Sequence, residues 1–225
     1  MSVYLLPEEP VFPPVEEAEP DGLIAIGGDL SVARLVKAYS QGIFPWFVEK
    51  EDIYWYSPDP RLVLFPEQFI IPDSLHRIIK SNRFEVRFDT VFRQVIEACS
   101  KIARPGQDGT WISNDFIDAY SEMHRQGFAH SVETFINGNL VGGLYGVSLG
   151  AAFFGESMFF TMNNASKVAL HALVERCITN GLRFIDCQVE TPHMMRFGAK
   201  LISRNDYLGL LEEALEKPTN KGLWR

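Results

Sequence analysis

The sequence predicts an α+β protein in which helices pack against a largely antiparallel sheet. Of its 225 residues, 46% are hydrophobic and 22% are charged, a balance typical of chains that bury a full core. Asn137-Gly138 stands between two apolar, β-prone runs and predicts a tight hairpin. A helical pattern and a strand-like FIDCQV segment follow this hairpin. Disorder, collagen and coiled coil are therefore excluded as descriptions of the whole chain.

The first helix is predicted to follow a stretch without regular structure. Residues 1–28 are rich in Pro and Glu and have no helical period, so we expect an extended segment on the surface. Ser31 is a good helix N-cap, and Leu35 and Tyr39 share one helical face. Gly42 stands where a left-handed residue ends a helix, which predicts a short amphipathic helix.

Residues 42–66 contain turn-forming prolines and six aromatic side chains between Phe44 and Tyr56, and this composition predicts a loop-rich segment. The aromatic side chains either form a second small core beneath the loops or offer a surface on which bases stack.

The middle of the chain alternates helical and strand patterns. A short helix is predicted over residues 71–81, and the alternating apolar side chains of residues 83–88 predict a strand. Helices are predicted from about Thr90 to Lys101 and again after Ser113.

The segment after the hairpin predicts one long helix and one buried strand. The helix begins at Asn164 or Ser166 and runs to Gly181. FIDCQV then predicts a strand that is buried on both faces.

The charge of the chain is unevenly distributed. The formal net charge is −8, yet no Lys or Arg precedes Arg34, whereas seven of the 29 acidic residues do. The remaining 22 acidic residues stand beside 21 basic ones, so the rest of the chain is nearly neutral. A local basic patch is compatible with this distribution, and the sum alone does not exclude a nucleic-acid partner.

The cysteines and the first residues indicate the compartment. Cys99, Cys177 and Cys187 are odd in number and widely spaced, which is typical of reduced thiols in a cytosolic protein. The first residues lack a basic and an apolar leader region, and no run approaches the roughly 20 apolar residues of a membrane span. We expect a cytoplasmic protein without a membrane anchor.

No motif predicts a metal or an organic cofactor. The glycines of VGGLYG lie within a strand pattern rather than at a phosphate-binding strand-to-helix turn. The five histidines form no HExxH and no His/Cys pair at ligand spacing. The segment GESMF resembles a serine-hydrolase elbow only weakly, because it lacks the second glycine.

Three acids in apolar strands are the candidate chemical groups. They are Glu133 in HSVETF, Glu156 in FFGESMFF and Asp186 in FIDCQV. A buried carboxylate needs an ion-pair partner, a raised pKa or a cationic substrate. One such acid is more often structural, whereas two or three that converge indicate a site.

Eight motifs occur here in the order found in one known family, and the match to that family runs from about Gly22 to Tyr207. They are GLIAIGGDLSVARLVKAYSQGIFPWF, YWYSPDPR, GTWIS, AHSVE, LVGGLYGV, FFGESMF, NASKVAL and IDCQ. On these motifs the chain resembles the leucyl/phenylalanyl-tRNA–protein transferase family. The resemblance implies a small N-terminal α/β domain, residues 1–60, and a larger C-terminal domain of the GNAT acyltransferase type with a mixed, largely antiparallel sheet, residues 61–225.

The resemblance also implies a reaction. Leu or Phe, and less efficiently Met, passes from aminoacyl-tRNA to the α-amino group of proteins that begin with Arg or Lys, which marks them for degradation by the N-degron pathway. The ester is already activated, so no metal or organic cofactor is expected.

By the same resemblance, three residues are expected to carry the chemistry. Asp186 orients Gln188, whose carbonyl oxygen receives or steers the amino proton, and Glu156 helps to hold the amine or the cationic side chain of the acceptor. Asp186 and Gln188 are two residues apart on a strand, so we expect both to point to one face.

The binding residues follow from the resemblance too. Leu144, Phe153, Leu173 and Ile185 are expected to line the side-chain pocket, and Trp46 and Trp111 to stack on the terminal adenosine of the tRNA. Arg77, Lys80 and Arg83, in the most basic stretch, are either a solvated face or phosphate contacts of the tRNA. Recognition of the tRNA is expected mainly through its 3′ end, by a monomer.

Two other functions stay open from the sequence. One is a GNAT-type N-acyltransferase that uses acyl-CoA, which the missing Q/R-x-x-G-x-G/A loop disfavours. The other is a non-catalytic RNA-binding module whose strand acids are structural.

Overall fold

The computed structural model describes residues 3–49, 52–102, 112–222 and 224, without the side chains of residues 47–49. The strands in chain order are β1 Tyr4–Leu6, β2 Leu23–Gly27, β3 Phe44–Glu49, β4 Asp52–Tyr56, β5 Arg61–Leu64, β6 Glu85–Phe88, β7 Ala129–Ile136, β8 Asn139–Leu149, β9 Ala152–Phe160, β10 Phe184–Gln188 and β11 Lys200–Ile202. The helices are α1 Val32–Ser40, α2 Asp73–Lys80, α3 Phe92–Ser100, α4 Asn114–Arg125, α5 Ala165–Asn180, α6 Pro192–Met195 and α7 Arg204–Leu215.

The strands form two sheets. The smaller has the order β1-β2-β4-β3, and the larger has the order β11-β5-β10-β9-β8-β7-β6. In the larger sheet only β9 and β10 pair in parallel, and the other neighbours are antiparallel. The predicted α+β class, with a mixed and largely antiparallel sheet, is therefore confirmed.

The central hairpin and the helices agree with the predicted elements. Asn137 and Gly138 have φ angles of 49° and 77°, which suit the two-residue turn between β7 and β8. Ser31 caps α1 by accepting a hydrogen bond from the Arg34 N–H at 3.3 Å. Asn164 rather than Ser166 precedes α5, and Gly181 ends it in the left-handed region.

Two expectations for the N-terminal part are wrong. Residues 1–28 contain β1 and β2, because LIAIG is an apolar, β-prone run between turn-forming Asp21-Gly22 and Gly27-Gly28. Residues 42–66 are not loop-rich, since β3 and β4 form an antiparallel hairpin there. Pro45 is tolerated because β3 is an edge strand, where a missing backbone N–H leaves no partner unpaired.

The two sheets share one continuous core. Trp55 and Leu35 of the N-terminal part pack in the same buried cluster as Phe154 and Val147 of the larger sheet. The change from one sheet to the other falls between β4 and β5, where the predicted division after residue 60 lies. Because the core crosses that point, the division into two domains stays a prediction.

No helix in the described ranges is long and apolar enough to cross a membrane. No disulfide joins Cys99, Cys177 and Cys187, which all lie in the described part of the chain.

Candidate active site

A cleft of about 400 Å³ opens where the two sheets meet. Its walls come from β8, β9 and β10 of the larger sheet, from α5 and α6, and from the first residues of β3. Most of these side chains are apolar, and the groups that carry chemistry are few. The side chains that line it include Trp46, Leu144, Phe153, Glu156, Leu170, Leu173, Ile185, Cys187, Gln188, His193 and Met194.

The four residues that are expected to line a side-chain pocket share one surface. Leu144, Phe153, Leu173 and Ile185 all line the cleft, and they belong to the same buried apolar cluster. They come from β8, β9, α5 and β10, so only the folded sheet and helix bring them together.

Trp46 lies at the edge of this surface. Its ring is partly exposed and meets the Tyr56 ring edge-on, with centroids 5.6 Å apart. Trp111, its expected partner in stacking, lies outside the described residues.

Glu156 is the carboxylate of the cleft. The Tyr39 hydroxyl donates to its Oε1 at 2.7 Å, and the Tyr120 hydroxyl lies 3.4 Å from its Oε2. Burial among apolar walls raises the pKa of Glu156 to about 7, although the hydrogen bond from Tyr39 lowers it. A group with this pKa exchanges a proton readily at neutral pH.

Gln188 stands beside Glu156 at the end of β10. Its Nε2 donates to Glu156 Oε1 at 3.0 Å, which leaves the amide carbonyl oxygen for another partner. The backbone of Gln188 has a φ of 59°, in the left-handed region that is unfavourable for a residue with a side chain. This conformation coincides with a register shift between Asp186 and Gln188 in the pairing with β5.

Asp186 is buried beneath the cleft rather than in its wall. Arg61 donates to both of its carboxylate oxygens, at 2.9 and 2.7 Å. The Tyr207 hydroxyl and the Gln188 backbone N–H add bonds of 2.8 and 2.9 Å. Burial lowers the pKa of the Arg61 guanidinium, but the charge of Asp186 and the contacts with Tyr207 outweigh this effect, so the net shift is upward.

The expectation that Asp186 and Gln188 point to one face is wrong. Gln188 lines the cleft, whereas the Asp186 side chain is 0% exposed and is not among the described lining residues. The bulge between them breaks the alternation of side chains that a regular strand would have. Asp186 consequently contacts Gln188 by accepting a hydrogen bond from the Gln188 backbone N–H.

The third strand acid does not join this site. Glu133 accepts hydrogen bonds from the hydroxyls of Ser131, at 2.5 Å, and Thr90, at 3.0 Å. Burial raises its pKa. With these partners Glu133 holds the start of α3 against β7, which is a structural role.

The basic stretch lies on the surface. Arg77 and Lys80 are exposed in the last turn of α2, and Arg83 is exposed in the turn that follows. None of the three lines the cleft, and none forms an ion pair with an acid of the described residues.

One His/Asp group has the composition of a metal site. The ligand atoms of Asp89, His124 and His130 lie within 4.8 Å of one another. However, His130 Nδ1 lies 2.7 Å from Asp89 Oδ2 and its Nε2 lies 3.2 Å from the Gly127 carbonyl oxygen. His124 Nδ1 lies 2.8 Å from the Ala129 carbonyl oxygen. Each of these ring nitrogens already faces a protein oxygen at hydrogen-bond distance, so hydrogen bonds account for the arrangement without a metal ion.

Sequence reasoning missed the residues that support the two acids. The sequence indicates only a helical face for Tyr39, and it indicates no functional role for Tyr120, Arg61 or Tyr207. Arg61 carried a usable signal, since it opens RLVL, an otherwise apolar strand that is buried throughout. A cation in such a strand requires an acid nearby.

The site combines an apolar pocket, a carboxylate with a pKa near neutrality and an amide held by that carboxylate. Such a set suits the transfer of an apolar acyl group to an amine, because it binds the acyl side chain and accepts a proton beside it.

Comparison with known proteins agrees with this geometry. The model of the leucyl/phenylalanyl-tRNA protein transferase family matches residues 63–212, and that of its N-terminal domain matches residues 28–59. The leucyl/phenylalanyl-tRNA–protein transferase of Myxococcus xanthus (strain DK1622) is 51% identical over an alignment of 226 residues, which covers 100% of this chain and 97% of the relative. That of Anaeromyxobacter sp. (strain Fw109-5) is 54% identical over 224 residues, which cover 100% of this chain and 95% of the relative.

Among solved structures, a GCN5-related N-acetyltransferase from Kribbella flavida overlaps 75% of this chain and 60% of its own, with a TM-score of 0.39 and 9% identity. At that level the overlap adds nothing to the fold assignment, which depends on the observed strand order.

Proposed function

The chain belongs to the leucyl/phenylalanyl-tRNA–protein transferase family and is an aminoacyltransferase, and from this we propose its specific reaction. It transfers Leu or Phe, and less efficiently Met, from aminoacyl-tRNA to the α-amino group of cytoplasmic proteins that begin with Arg or Lys. These proteins are thereby marked for degradation. The observation that carries the proposal is the apolar cleft with Glu156 and Gln188 in its wall.

The cleft suits the donor. Leu144, Phe153, Leu173 and Ile185 offer an apolar surface without a charged group, so the pocket accepts apolar side chains and penalises charged ones. An apolar pocket distinguishes side chains that differ by one methylene by only about 1–3 kcal/mol, so overlap among Leu, Phe and Met is expected.

The reaction requires one proton acceptor. The α-amine attacks the ester carbonyl carbon, a C–N bond forms, and the C–O bond to the ribose of the tRNA breaks. The acceptor ammonium, with a pKa of about 8, first gives one proton to solvent and becomes the neutral amine that attacks. As the C–N bond forms, the nitrogen loses a second proton, and the ribose oxygen gains one as it leaves. Glu156, with a pKa of about 7, is well matched to take this second proton and pass it to the ribose oxygen.

Gln188 and Asp186 support this proton transfer in two different ways. The bond from Gln188 Nε2 to Glu156 fixes the amide, so its carbonyl oxygen receives a hydrogen bond from the amine. Asp186 accepts four hydrogen bonds from Arg61, Tyr207 and Gln188, so its carboxylate oxygens are already occupied by protein donors. We assign to Asp186 the positioning of the Gln188 backbone.

The residues that contact the tRNA are one aromatic side chain of the cleft and three basic side chains outside it. Trp46 stacks on the terminal adenosine, and Arg77, Lys80 and Arg83 contact phosphates of the tRNA. The last three are exposed without a described acidic partner, as phosphate-binding side chains are.

The test is the transfer of labelled leucine from Leu-tRNA to a peptide that begins with Arg, beside the same peptide acetylated at its N-terminus. Label in the free peptide alone is expected, and it identifies both the reaction and the nucleophile. Absence of label from both peptides would contradict the proposal and would favour an acyl-CoA enzyme or an RNA-binding module. Saturable binding of CoA would then separate these two alternatives.

A further inference from the structure

Trp224 is a buried tryptophan that the reaction does not use. It lies nine residues beyond the end of α7, and its side chain is 0% exposed. Its ring stacks on His130, with centroids 4.7 Å apart and planes 16° apart, and contacts Phe153 at 5.2 Å. The ring of Phe88 follows at 6.4 Å. These contacts place the indole directly behind the wall of the cleft.

The wall at this point is the Phe153 ring, and its position is narrowly defined. Gly146 on β8 lies against it, and a Cβ built on Gly146 would meet Phe153 Cε1 and Cζ at 2.6 Å. The ring therefore occupies space that only a glycine leaves open. Trp224 contacts the same ring, so Gly146 and Trp224 together determine how far Phe153 extends into the cleft.

Trp224 is not itself among the described residues that line the cleft. Its indole N–H is buried and has no hydrogen-bond partner among the described residues, so its contribution there is packing. The stacked His130 is held in turn by Asp89, which fixes the far side of the indole. The indole thus fills a defined volume between a fixed imidazole and the wall of the pocket.

From this geometry we propose that Trp224 sets the size of the aminoacyl side-chain pocket by positioning Phe153. The proposal depends on the proposed function, because it takes the cleft as the pocket for the transferred side chain. A smaller residue at position 224 leaves room for the Phe153 ring to withdraw. The pocket then becomes wider, so Leu makes fewer contacts and Phe is accommodated better.

The experiment compares Trp224→Leu with the parent protein in transfer from Leu-tRNA and from Phe-tRNA to a peptide that begins with Arg. The ratio of kcat/KM for Phe to that for Leu is expected to rise by about fivefold or more, within the range that one methylene of misfit produces in an apolar pocket. Trp224→Phe keeps an aromatic ring and loses no described hydrogen bond, so it is expected to keep the ratio within about twofold of the parent.

The matched control is Trp55→Leu. Trp55 is also 0% exposed, but its ring meets Phe12 and its Nε1 donates to the Gly27 carbonyl oxygen, and it does not line the cleft. Loss of stability alone is therefore expected to leave the ratio unchanged in Trp55→Leu. If Trp224→Leu does not fold, Trp224→Met, which fills more of the space, is judged by the same ratio.

A coupled variant gives a second measurement. Phe153→Leu shortens the wall itself, so adding Trp224→Leu to it is expected to change the ratio by less than about twofold. An unchanged ratio in Trp224→Leu, with the parent active on both donors, would overturn this inference and leave the proposed function intact. A parent that transfers neither amino acid would refute the proposed function, and this inference with it.

Discussion

Replacement of Glu156 by Gln tests the electrostatics of the cleft without requiring a substrate. Burial raises the pKa of this carboxyl from 4.5 to about 7. Because the folded state holds the proton more tightly than the unfolded state, ionised Glu156 destabilises the fold. Its contribution to stability is greatest below pH 4.5 and is lost as the pH rises through about 7.

The magnitude follows from the size of the shift. A shift from 4.5 to about 7 corresponds to roughly 3 kcal/mol in the free energy of unfolding once the group is fully ionised, at about 1.4 kcal/mol for each pH unit. Glu156 is partly exposed, and solvent weakens the effect of burial, so this value is an upper bound. At about pH 5 the penalty is roughly 1 kcal/mol, and at about pH 8 it is close to the full value.

The assay is urea unfolding of the parent and of Glu156→Gln at both pH values. The variant is expected to gain about 2 kcal/mol relative to the parent between about pH 5 and about pH 8. Any constant effect of the amide on packing cancels in this difference. Glu212→Gln, an exposed acid on α7, is the control and is expected to show no gain. A gain below about 0.5 kcal/mol for Glu156→Gln would refute the reasoning.

Further predictions concern the rate, the buried ion pair, the sheet and the tRNA. The ratio of parent to Glu156→Gln transfer rates is expected to fall about tenfold for each pH unit below about 7, and a flat ratio would exclude Glu156 as the proton acceptor. Arg61→Met leaves Asp186 unpaired and is expected to lower the free energy of unfolding by about 3–5 kcal/mol, with recovery when Asp186→Leu is added; urea unfolding measures both. Gly146→Ala places a Cβ 2.1 Å from the Phe154 carbonyl oxygen and is expected to destabilise the fold by about 3 kcal/mol, and a neutral result in thermal unfolding would contradict the close packing of β8 on β9. Changing Arg77, Lys80 and Arg83 to Gln is expected to weaken the salt dependence of tRNA binding. The slope of the logarithm of the binding constant against the logarithm of the salt concentration is expected to fall in magnitude by about one for each lost phosphate contact. Lys217→Gln, at another exposed position, is the control and is expected to leave the slope unchanged.

Most helices and strands could be predicted because the turns and caps that delimit them depend on a few neighbouring residues. The Asn137-Gly138 turn and the Ser31 cap each depend on a few neighbouring residues, and both are confirmed. The strands in residues 1–28 and 42–66 were missed because the overall composition of these segments suggested irregular structure. Pro and Glu around LIAIG obscured a strand, and Pro45 obscured an edge strand that tolerates it.

The sequence named several residues that line the cleft, but it did not give their arrangement. The family resemblance supplied the pocket residues, and four different elements bring Leu144, Phe153, Leu173 and Ile185 to one surface. The spacing of residues along a strand does not predict the bulge, which directs Gln188 into the cleft and leaves Asp186 behind it. The partners of the two acids were missed because Arg61 and Asp186 are 125 residues apart, and only the pairing of β5 with β10 brings them together.

The shared core has a consequence for recombination between relatives. The cleft takes Phe44, Pro45 and Trp46 from the smaller sheet and its other walls from the rest of the chain. The same two parts bury their apolar faces against each other. An exchange of the first 60 residues between two distant relatives would therefore replace part of an interior and one wall of a pocket in a single step. Viable chimeras are expected only when the contacts between the two parts remain matched after the exchange.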